Sequence, residues 1–162
     1  FITRKDLVKF TSVNGSVDSD KFLQYIKISQ DIHIRNYLGT DLFNKIQDDI
    51  EAGTLAGDYL TLVTDYIKPM VIHWAMVEYL PFAAYTIANK GVFKHGSENA
   101  SNVDKEEVDF LIEKERNIAQ YYTDRFIDYM SFNASGKYPE YFSNSNDDVY
   151  PDKNANFEGW VL

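Results

Sequence analysis

The sequence contains no cysteine, only three histidines, and far fewer basic than acidic residues. Without cysteine the chain forms no disulfide, thiolate metal site, iron–sulfur cluster or cysteine nucleophile, and its composition favours an intracellular protein over a disulfide-rich secreted one. The 16 lysines and arginines against 25 acidic residues give a formal net charge of −9. This balance argues against binding to nucleic acid or anionic membranes, because both attract clustered basic side chains.

Sequence motifs of catalysis and cofactor binding are also missing. His33, His73 and His95 do not form an H-E-x-x-H or similar metal-binding arrangement. The apolar neighbours of His73 predict a hydrogen-bonded core histidine. No glycine-rich phosphate loop, Walker lysine, dinucleotide fingerprint or nucleophile elbow is present. We therefore expect no catalytic residue, no cofactor, no metal site and no enzyme activity. The chain begins Phe1-Ile2-Thr3 without an apolar leader segment, so we expect no signal peptide.

The hydrophobic pattern predicts an all-α fold, a small bundle of about four to five helices. The 162 residues are 44% hydrophobic and 15% aromatic, which suits one compact core. The predicted elements are a short helix over 4–10 capped by Thr3 and Asp6, a helix from 19 to about 38, a helix over 41–52 capped by Thr40, a helical run from 58 onward, and a long helix from 104 to about 130.

Three local patterns refine this prediction. Ile28 and Ile32 lie on the second flank of the 19–38 helix, so we expect that helix to be covered on more than one side, by its own domain or by a neighbouring subunit. Pro69 either opens a new helix or kinks a continuous one. In the long helix the predicted inward residues are Val108, Leu111, Ile112, Ile118, Ala119, Tyr122, Phe126 and Tyr129.

The longest apolar stretch covers residues 69–88, which is the length of a membrane span. Glu78 lies in the middle of this stretch and Pro81 interrupts its hydrogen bonding, and both features are costly inside a bilayer. We therefore expect a buried core helix there and no membrane contact.

The pattern changes after Phe132, where asparagine, serine, glycine, aspartate and proline dominate. We predict a helical domain over residues 1–131 and an extended, aromatic-rich arm over residues 132–162. The arm either binds a partner or folds back on its own domain, and the surplus of large aromatic side chains favours the partner. The predicted partner-binding residues are Tyr138, Tyr141, Phe142, Tyr150, Phe157 and Trp160.

Several short signatures occur in a fixed order along residues 1–141. They are the start FITRKDL (1–7), the segment IKISQDIHIRNYLGTDL (26–42), the segment YLTLVTDYIKP (59–69), the NKGV turn (89–92) and the long helix over 104–130. Together they resemble the head–tail connector proteins of tailed phages, most of all the neck ring proteins of crAss-like and other Bacteroidetes-infecting phages.

The resemblance implies a virion protein of the phage neck that is assembled in the host cytoplasm. It implies a homo-oligomeric ring of twelve copies that binds the portal protein, extends the DNA channel and offers a platform for further neck or tail proteins. DNA would pass through the ring as non-specific cargo. An acidic channel lining favours this passage, because acidic side chains do not bind the phosphates of DNA. The candidate channel-facing acids are Asp48, Asp49, Glu51, Glu113 and Glu115.

Two other classes of function stay open at this point. One is a monomeric helical adaptor or regulator that binds a single protein through the aromatic arm. The other is a small hydrolase that uses His73 and Glu78, for which the sequence indicates no cleft.

Overall fold

The computed structural model describes residues 1–3, 5, 6, 9, 11, 19–83, 85–88, 91–94, 105–144 and 148–154. These residues form five helices in addition to a short helical segment that contains Lys5, Asp6 and Lys9. The helices are α1 (19–38), α2 (Thr40–Ala52), α3 (57–79), α4 (Lys105–Lys137) and α5 (Pro139–Ser143). The predicted helical bundle with a long C-terminal helix is confirmed.

Two of the helices contain a wider turn of π-helical hydrogen bonding. In α1, Ser19–Ser29 and Arg35–Leu38 flank the π turn Gln30–Ile34. In α3, Gly57–Leu62 and Lys68–Tyr79 flank the π turn Val63–Ile67. This second turn ends at Ile67, two residues before Pro69, which has no N–H to donate to the α-helical ladder. The helix nevertheless continues without a break from Gly57 to Tyr79, so Pro69 lies inside it.

The apolar stretch that begins at Pro69 is not helical to its end. Helix α3 stops at Tyr79, and the single turn Leu80–Phe82 contains Pro81. Strands β1 (Tyr85–Ala88) and β2 (Gly91–Lys94) then pair antiparallel, with Tyr85 opposite Lys94. This corrects the expectation of a helix to residue 88, because the proline removes a hydrogen bond and its ring clashes with the preceding turn. No helix in the described ranges is long and apolar enough to cross a membrane.

Helix α3 forms the centre of the core. Every residue from Met70 to Val77 is buried, so this part of the helix is covered on all sides. Helix α1 packs on one flank of α3 and α4 on another. The inward residues of α4 include Ala119, Phe126 and Met130. Leu111 and Ile118, which were predicted to point inward, are instead exposed by 46% and 39%.

Local capping explains how several helices begin and end. Thr3 and Asp6 form the predicted capping box, in which the Thr3 amide and hydroxyl both donate to Asp6 Oδ2 over 2.8 Å. Gly39 precedes α2 with a φ of 74°, and Thr40 is already the first helical residue. The hydroxyl of Thr40 bonds to the C-terminal part of the chain rather than capping α2, which corrects that prediction.

The boundary predicted between residues 131 and 132 falls inside helix α4, which continues to Lys137. The short helix α5 follows, and the described residues 148–154 are non-helical. The helical bundle therefore includes the first part of the predicted arm.

Candidate functional site

Two of the six aromatic residues predicted to bind a partner lie in the core of their own chain. Tyr138 is fully buried and Tyr141 is 3% exposed. The Tyr138 hydroxyl donates to the Asp58 carbonyl over 3.0 Å and accepts from the Tyr129 hydroxyl over 3.0 Å. Burial and the hydrogen bond with Tyr129 raise the pKa of Tyr138 above its ordinary value. This corrects the prediction for both residues, because neither ring is available to a partner in this fold.

Residues 148–154, here called the C-terminal clasp, fold back on the junction between α1 and α2. The Thr40 amide donates to the Val149 carbonyl over 2.9 Å, and the Val149 amide donates to the Thr40 hydroxyl over 3.0 Å. The Asp152 amide donates to the Asn36 carbonyl over 2.9 Å. Pro151 is buried against Gly39. This segment therefore matches the alternative in which the arm folds back on its own domain.

Asn144 links the clasp to the start of α2. Its side-chain carbonyl accepts from the Asp41 amide over 3.1 Å, and its side-chain amide donates to the Val149 carbonyl over 2.9 Å. An amide at a helix start has no partner within its own helix, so Asn144 supplies a hydrogen bond that a local cap normally provides. The sequence separation of about one hundred residues hides this contact from any local pattern.

Of the six predicted partner-binding residues, Phe142 and Tyr150 are those that face solvent within the described part of the chain. They are 48% and 59% exposed. The Lys153 ammonium lies 4.8 Å from the ring centroid of Phe142 and 5.1 Å from that of Tyr150. These three side chains form a small exposed cation–aromatic cluster. Phe157 and Trp160 lie outside the described residues.

The candidate channel acids divide into two groups. Asp49 forms an ion pair with Lys45 and accepts a hydrogen bond from Thr54, and the Lys45 hydrogen bond lowers the pKa of Asp49. Glu115 lies 2.8 Å from His73 Nδ1. These two acids therefore have partners within the chain and are only partly exposed. The acids that do face solvent are Asp48, Glu51 and Glu113.

The two described histidines each contact a different glutamate. His73 is 9% exposed, bonds to Glu115 and stacks on Tyr122 with ring centroids 5.4 Å apart, which confirms a hydrogen-bonded core histidine. His33 Nε2 lies 2.9 Å from Glu78 Oε1, and its ring stacks on Trp74 at 4.0 Å. His73 and Glu78 thus have separate partners and do not form one catalytic pair. Among the described residues no group of three or more histidine and acidic side chains is arranged to hold a metal ion.

Helix α4 carries a row of large side chains on the side opposite its buried residues. The positions recur at spacings of three, four or seven residues, which keeps them on one helical face, and Leu111 lies beside this row next to Phe110. Exposure reaches 57% for Phe110, 59% for Tyr121 and 86% for Phe132. We name this row the α4 stripe. Its members are Phe110, Leu111, Lys114, Ile118, Tyr121, Arg125 and Phe132.

A groove of about 720 Å³ runs between α1 and α2, and we name it the α1–α2 groove. Its apolar wall includes Leu23, which is 57% exposed, and Ile50, which is 38% exposed. The other lining residues include apolar and charged side chains of both signs: Phe1, Ile26, Phe43, Lys27, Arg35, Asp31 and Glu51. Ile28 and Ile32 lie outside the groove, on the other flank of α1, and are exposed to solvent. Helix α1 therefore presents apolar side chains on two flanks.

A second groove of about 650 Å³ lies over α3, between α1 and α4. His33, Trp74 and Glu78 line it together with Glu113 and Arg116 of α4. Its lining is mostly polar, and its histidine already bonds to Glu78. The α1–α2 groove likewise combines apolar with charged side chains.

Comparison with known proteins gives one family. Residues 34–150 match the model of a family of unknown function, DUF6712. The match begins within α1 and ends within the C-terminal clasp, so it includes the α2 residues of the α1–α2 groove and the whole α4 stripe. No curated protein and no solved structure matches the chain.

Proposed function

We propose that this chain, which belongs to the DUF6712 family of unknown function, is a structural subunit of a head–tail connector ring in a tailed phage. In this role it has no enzyme activity and no cofactor. It is assembled in the host cytoplasm, functions in the virion neck, and contacts further copies of itself, the portal protein and further neck or tail proteins. DNA passes along the ring without specific binding.

One observation carries this proposal. The core of the bundle is complete, yet large apolar side chains remain exposed on two surfaces built from different helices, the α4 stripe and the α1–α2 groove. Exposed apolar surfaces of this kind mark protein contacts. A ring subunit needs two different lateral surfaces, because each copy contacts one neighbour on each side. The resemblance of residues 1–141 to connector proteins supports the same function.

The charge of the chain is consistent with a channel for DNA. The net charge of −9 disfavours retention of phosphates, and a ring of twelve copies would multiply it. Asp48, Glu51 and Glu113 are the exposed members of the candidate channel set. A channel lined by acids rather than by lysine and arginine would let DNA move during packaging and ejection.

The exposed cluster of Phe142, Tyr150 and Lys153 favours a second candidate function. Aromatic and cationic side chains are common at the centres of protein interfaces. A monomeric adaptor that binds one protein partner through this end of the chain would use such a cluster and would need no lateral surfaces.

Light scattering on the purified chain separates these functions by mass. The chain is measured over a concentration series, alone and together with the portal protein encoded in the same genome. A connector subunit gives a closed assembly of uniform mass in at least one of the two samples. One copy bound per partner polypeptide, without ring formation, indicates the adaptor. A monomer in both samples, with no binding to the portal protein, contradicts the connector.

A further inference from the structure

We infer that the α4 stripe of one copy packs antiparallel against the α4 stripe of a second copy, so that the free chain forms a two-fold symmetric dimer. The symmetry axis passes beside Tyr121, the central residue of the stripe. This contact does not depend on the proposed function. A connector ring that uses the stripe as a lateral surface would form only after such a dimer separates.

Three aromatic residues are placed symmetrically about the centre of the stripe. Phe110 lies eleven residues before Tyr121, and Phe132 lies eleven residues after it. Eleven residues are close to three whole turns of an α-helix, so the three rings stay on nearly one line along α4. They are also the three most exposed large hydrophobic side chains of this helix. In an antiparallel pair centred at Tyr121, Phe110 of each copy therefore meets Phe132 of the other.

The same register pairs opposite charges. Lys114 lies seven residues before Tyr121, and Asp128 lies on the same face seven residues after it. Both side chains are exposed, and neither forms an ion pair with another described residue. The antiparallel dimer brings Lys114 of each copy to Asp128 of the other, and the symmetry makes two such pairs. Arg125, the second basic residue of the stripe, faces the uncharged Asn117 of the other copy.

Other arrangements of two stripes bring like charges together. A parallel pair in register places Lys114 against Lys114 and Asp128 against Asp128. An antiparallel pair that is shifted by about one turn, with its axis between Ile118 and Tyr121, places Lys114 near Arg125. Like charges at such contacts repel each other. The charges therefore select the antiparallel register that is centred at Tyr121.

The stripe is open to a second copy along its whole length. The buried residues of α4, such as Ala119, Phe126 and Met130, lie on the opposite side of the helix. From Phe110 to Phe132 the stripe is about 33 Å long at the rise of an α-helix. An exposed apolar row of this extent marks a protein contact. Two copies cover each other's row, because their aromatic and charged positions match from end to end.

Cysteine cross-linking tests the position of the axis, because the chain has no cysteine of its own. Tyr121→Cys places one thiol of each copy beside the axis, so a short bis-maleimide reagent should join two identical chains. Phe110→Cys alone places its two thiols about 33 Å apart, which the reagent does not span. A mixture of Phe110→Cys and Phe132→Cys brings one thiol of each chain together and keeps the second aromatic pair intact. Arg116→Cys is the matched control, because Arg116 is exposed on α4 away from the stripe.

We expect Tyr121→Cys to give several times the yield of cross-linked dimer that Arg116→Cys gives. The mixture of Phe110→Cys and Phe132→Cys should likewise exceed either variant alone. Equal yields from Tyr121→Cys and the control would overturn the inference. A strong link of Phe110→Cys to itself would also overturn it, because only a different register brings those two thiols together.

Charge exchange tests the pairs of Lys114 and Asp128. Lys114→Glu alone or Asp128→Lys alone places like charges opposite each other at both pairs, and each should raise the dimer Kd by about tenfold or more in analytical ultracentrifugation. The double variant restores opposite charges, so its dimer Kd should return close to that of the unaltered chain. Lys105→Glu is the control, because it makes the same charge change on α4 outside the stripe. A double variant that dimerises no better than the single variants would refute this pairing.

Analytical ultracentrifugation of the unaltered chain over a concentration series decides whether the dimer forms. A monomer at every concentration would overturn the inference and leave the connector function standing, because binding to the portal protein is measured separately. Failure to bind the portal protein or to form a ring with it contradicts the connector function and leaves the dimer unaffected. The two failures therefore give different results.

Discussion

The contact between Gly39 and Pro151 predicts an unusually large effect of a small substitution, Gly39→Ala. Gly39 has φ 74° and ψ 162°, a conformation that is almost confined to glycine and costs other residues about 1–3 kcal/mol. An added Cβ would lie 2.6 Å from Pro151 Cγ and 2.7 Å from Pro151 Cδ. Relief of that overlap must displace a buried proline, which adds a cost of about 1–3 kcal/mol. We therefore expect the free energy of unfolding to fall by about 4 kcal/mol.

Gly53→Ala is the matched control for the backbone cost alone. Gly53 has a φ of 68°, and an added Cβ there meets nothing within 4 Å. We expect that substitution to cost about 1 kcal/mol, because the left-handed conformation is its only penalty. Urea denaturation followed by far-ultraviolet circular dichroism measures both variants.

A double-mutant cycle with Pro151→Gly isolates the steric part of the effect. Removal of the proline ring should leave Gly39→Ala with its backbone cost only, so the two substitutions should couple by about 1–3 kcal/mol. The reasoning is refuted if Gly39→Ala destabilises the chain no more than Gly53→Ala does, or if the coupling is zero.

Three further predictions follow from the C-terminal contacts. Tyr138→Phe removes the hydroxyl that bonds to the Asp58 carbonyl and the Tyr129 hydroxyl, and should lower the free energy of unfolding in urea by about 2 kcal/mol. Tyr150 is exposed, so the control Tyr150→Phe should change that free energy by less than about 0.5 kcal/mol. Burial, with Asp152 and Tyr150 nearby, raises the pKa of Tyr141 to about 12, so its contribution to stability is complete below pH 10 and is lost as the pH rises toward 12. The free energy of unfolding from urea denaturation should therefore fall between pH 10 and pH 12, and an unchanged value across that interval would contradict the role of Tyr141. Truncation after Asn154 keeps Asn144 and the clasp, whereas truncation after Phe142 removes both and should give the lower melting temperature of the two. Equal melting temperatures would contradict the role of the clasp.

The sequence alone was enough for features that depend on neighbouring residues. The capping box of Thr3 and Asp6 joins residues three positions apart, and the structure contains its hydrogen bonds as predicted. The helix stop at Gly39 and the helical spacing of Leu42 and Ile46 are equally local. Pro81 also carried a local signal for the end of α3, but the apolar residues that follow it favoured a longer helix.

The sequence did not decide which apolar stripe of a helix is buried. Helix α4 has apolar side chains on two faces, and Leu111 and Ile118 lie beside the inward row in the helical pattern. Periodicity identifies such rows, but the choice between them depends on where α3 lies. Which of the two rows forms the exposed α4 stripe is therefore set by the packing against α3.

The chemistry of the C-terminal residues was decided by tertiary contacts. Tyr138 and Tyr150 look alike in sequence as aromatic residues in a polar stretch, yet the first is fully buried and the second is 59% exposed. Thr40 fits the pattern of a local cap, yet its hydroxyl and its amide are both hydrogen-bonded to Val149, more than one hundred residues later. Local patterns arise from bonds between residues a few positions apart, so a sequence determines them by itself. Burial and hydrogen-bond partners depend on which distant segments meet, and the packing of the whole chain sets that.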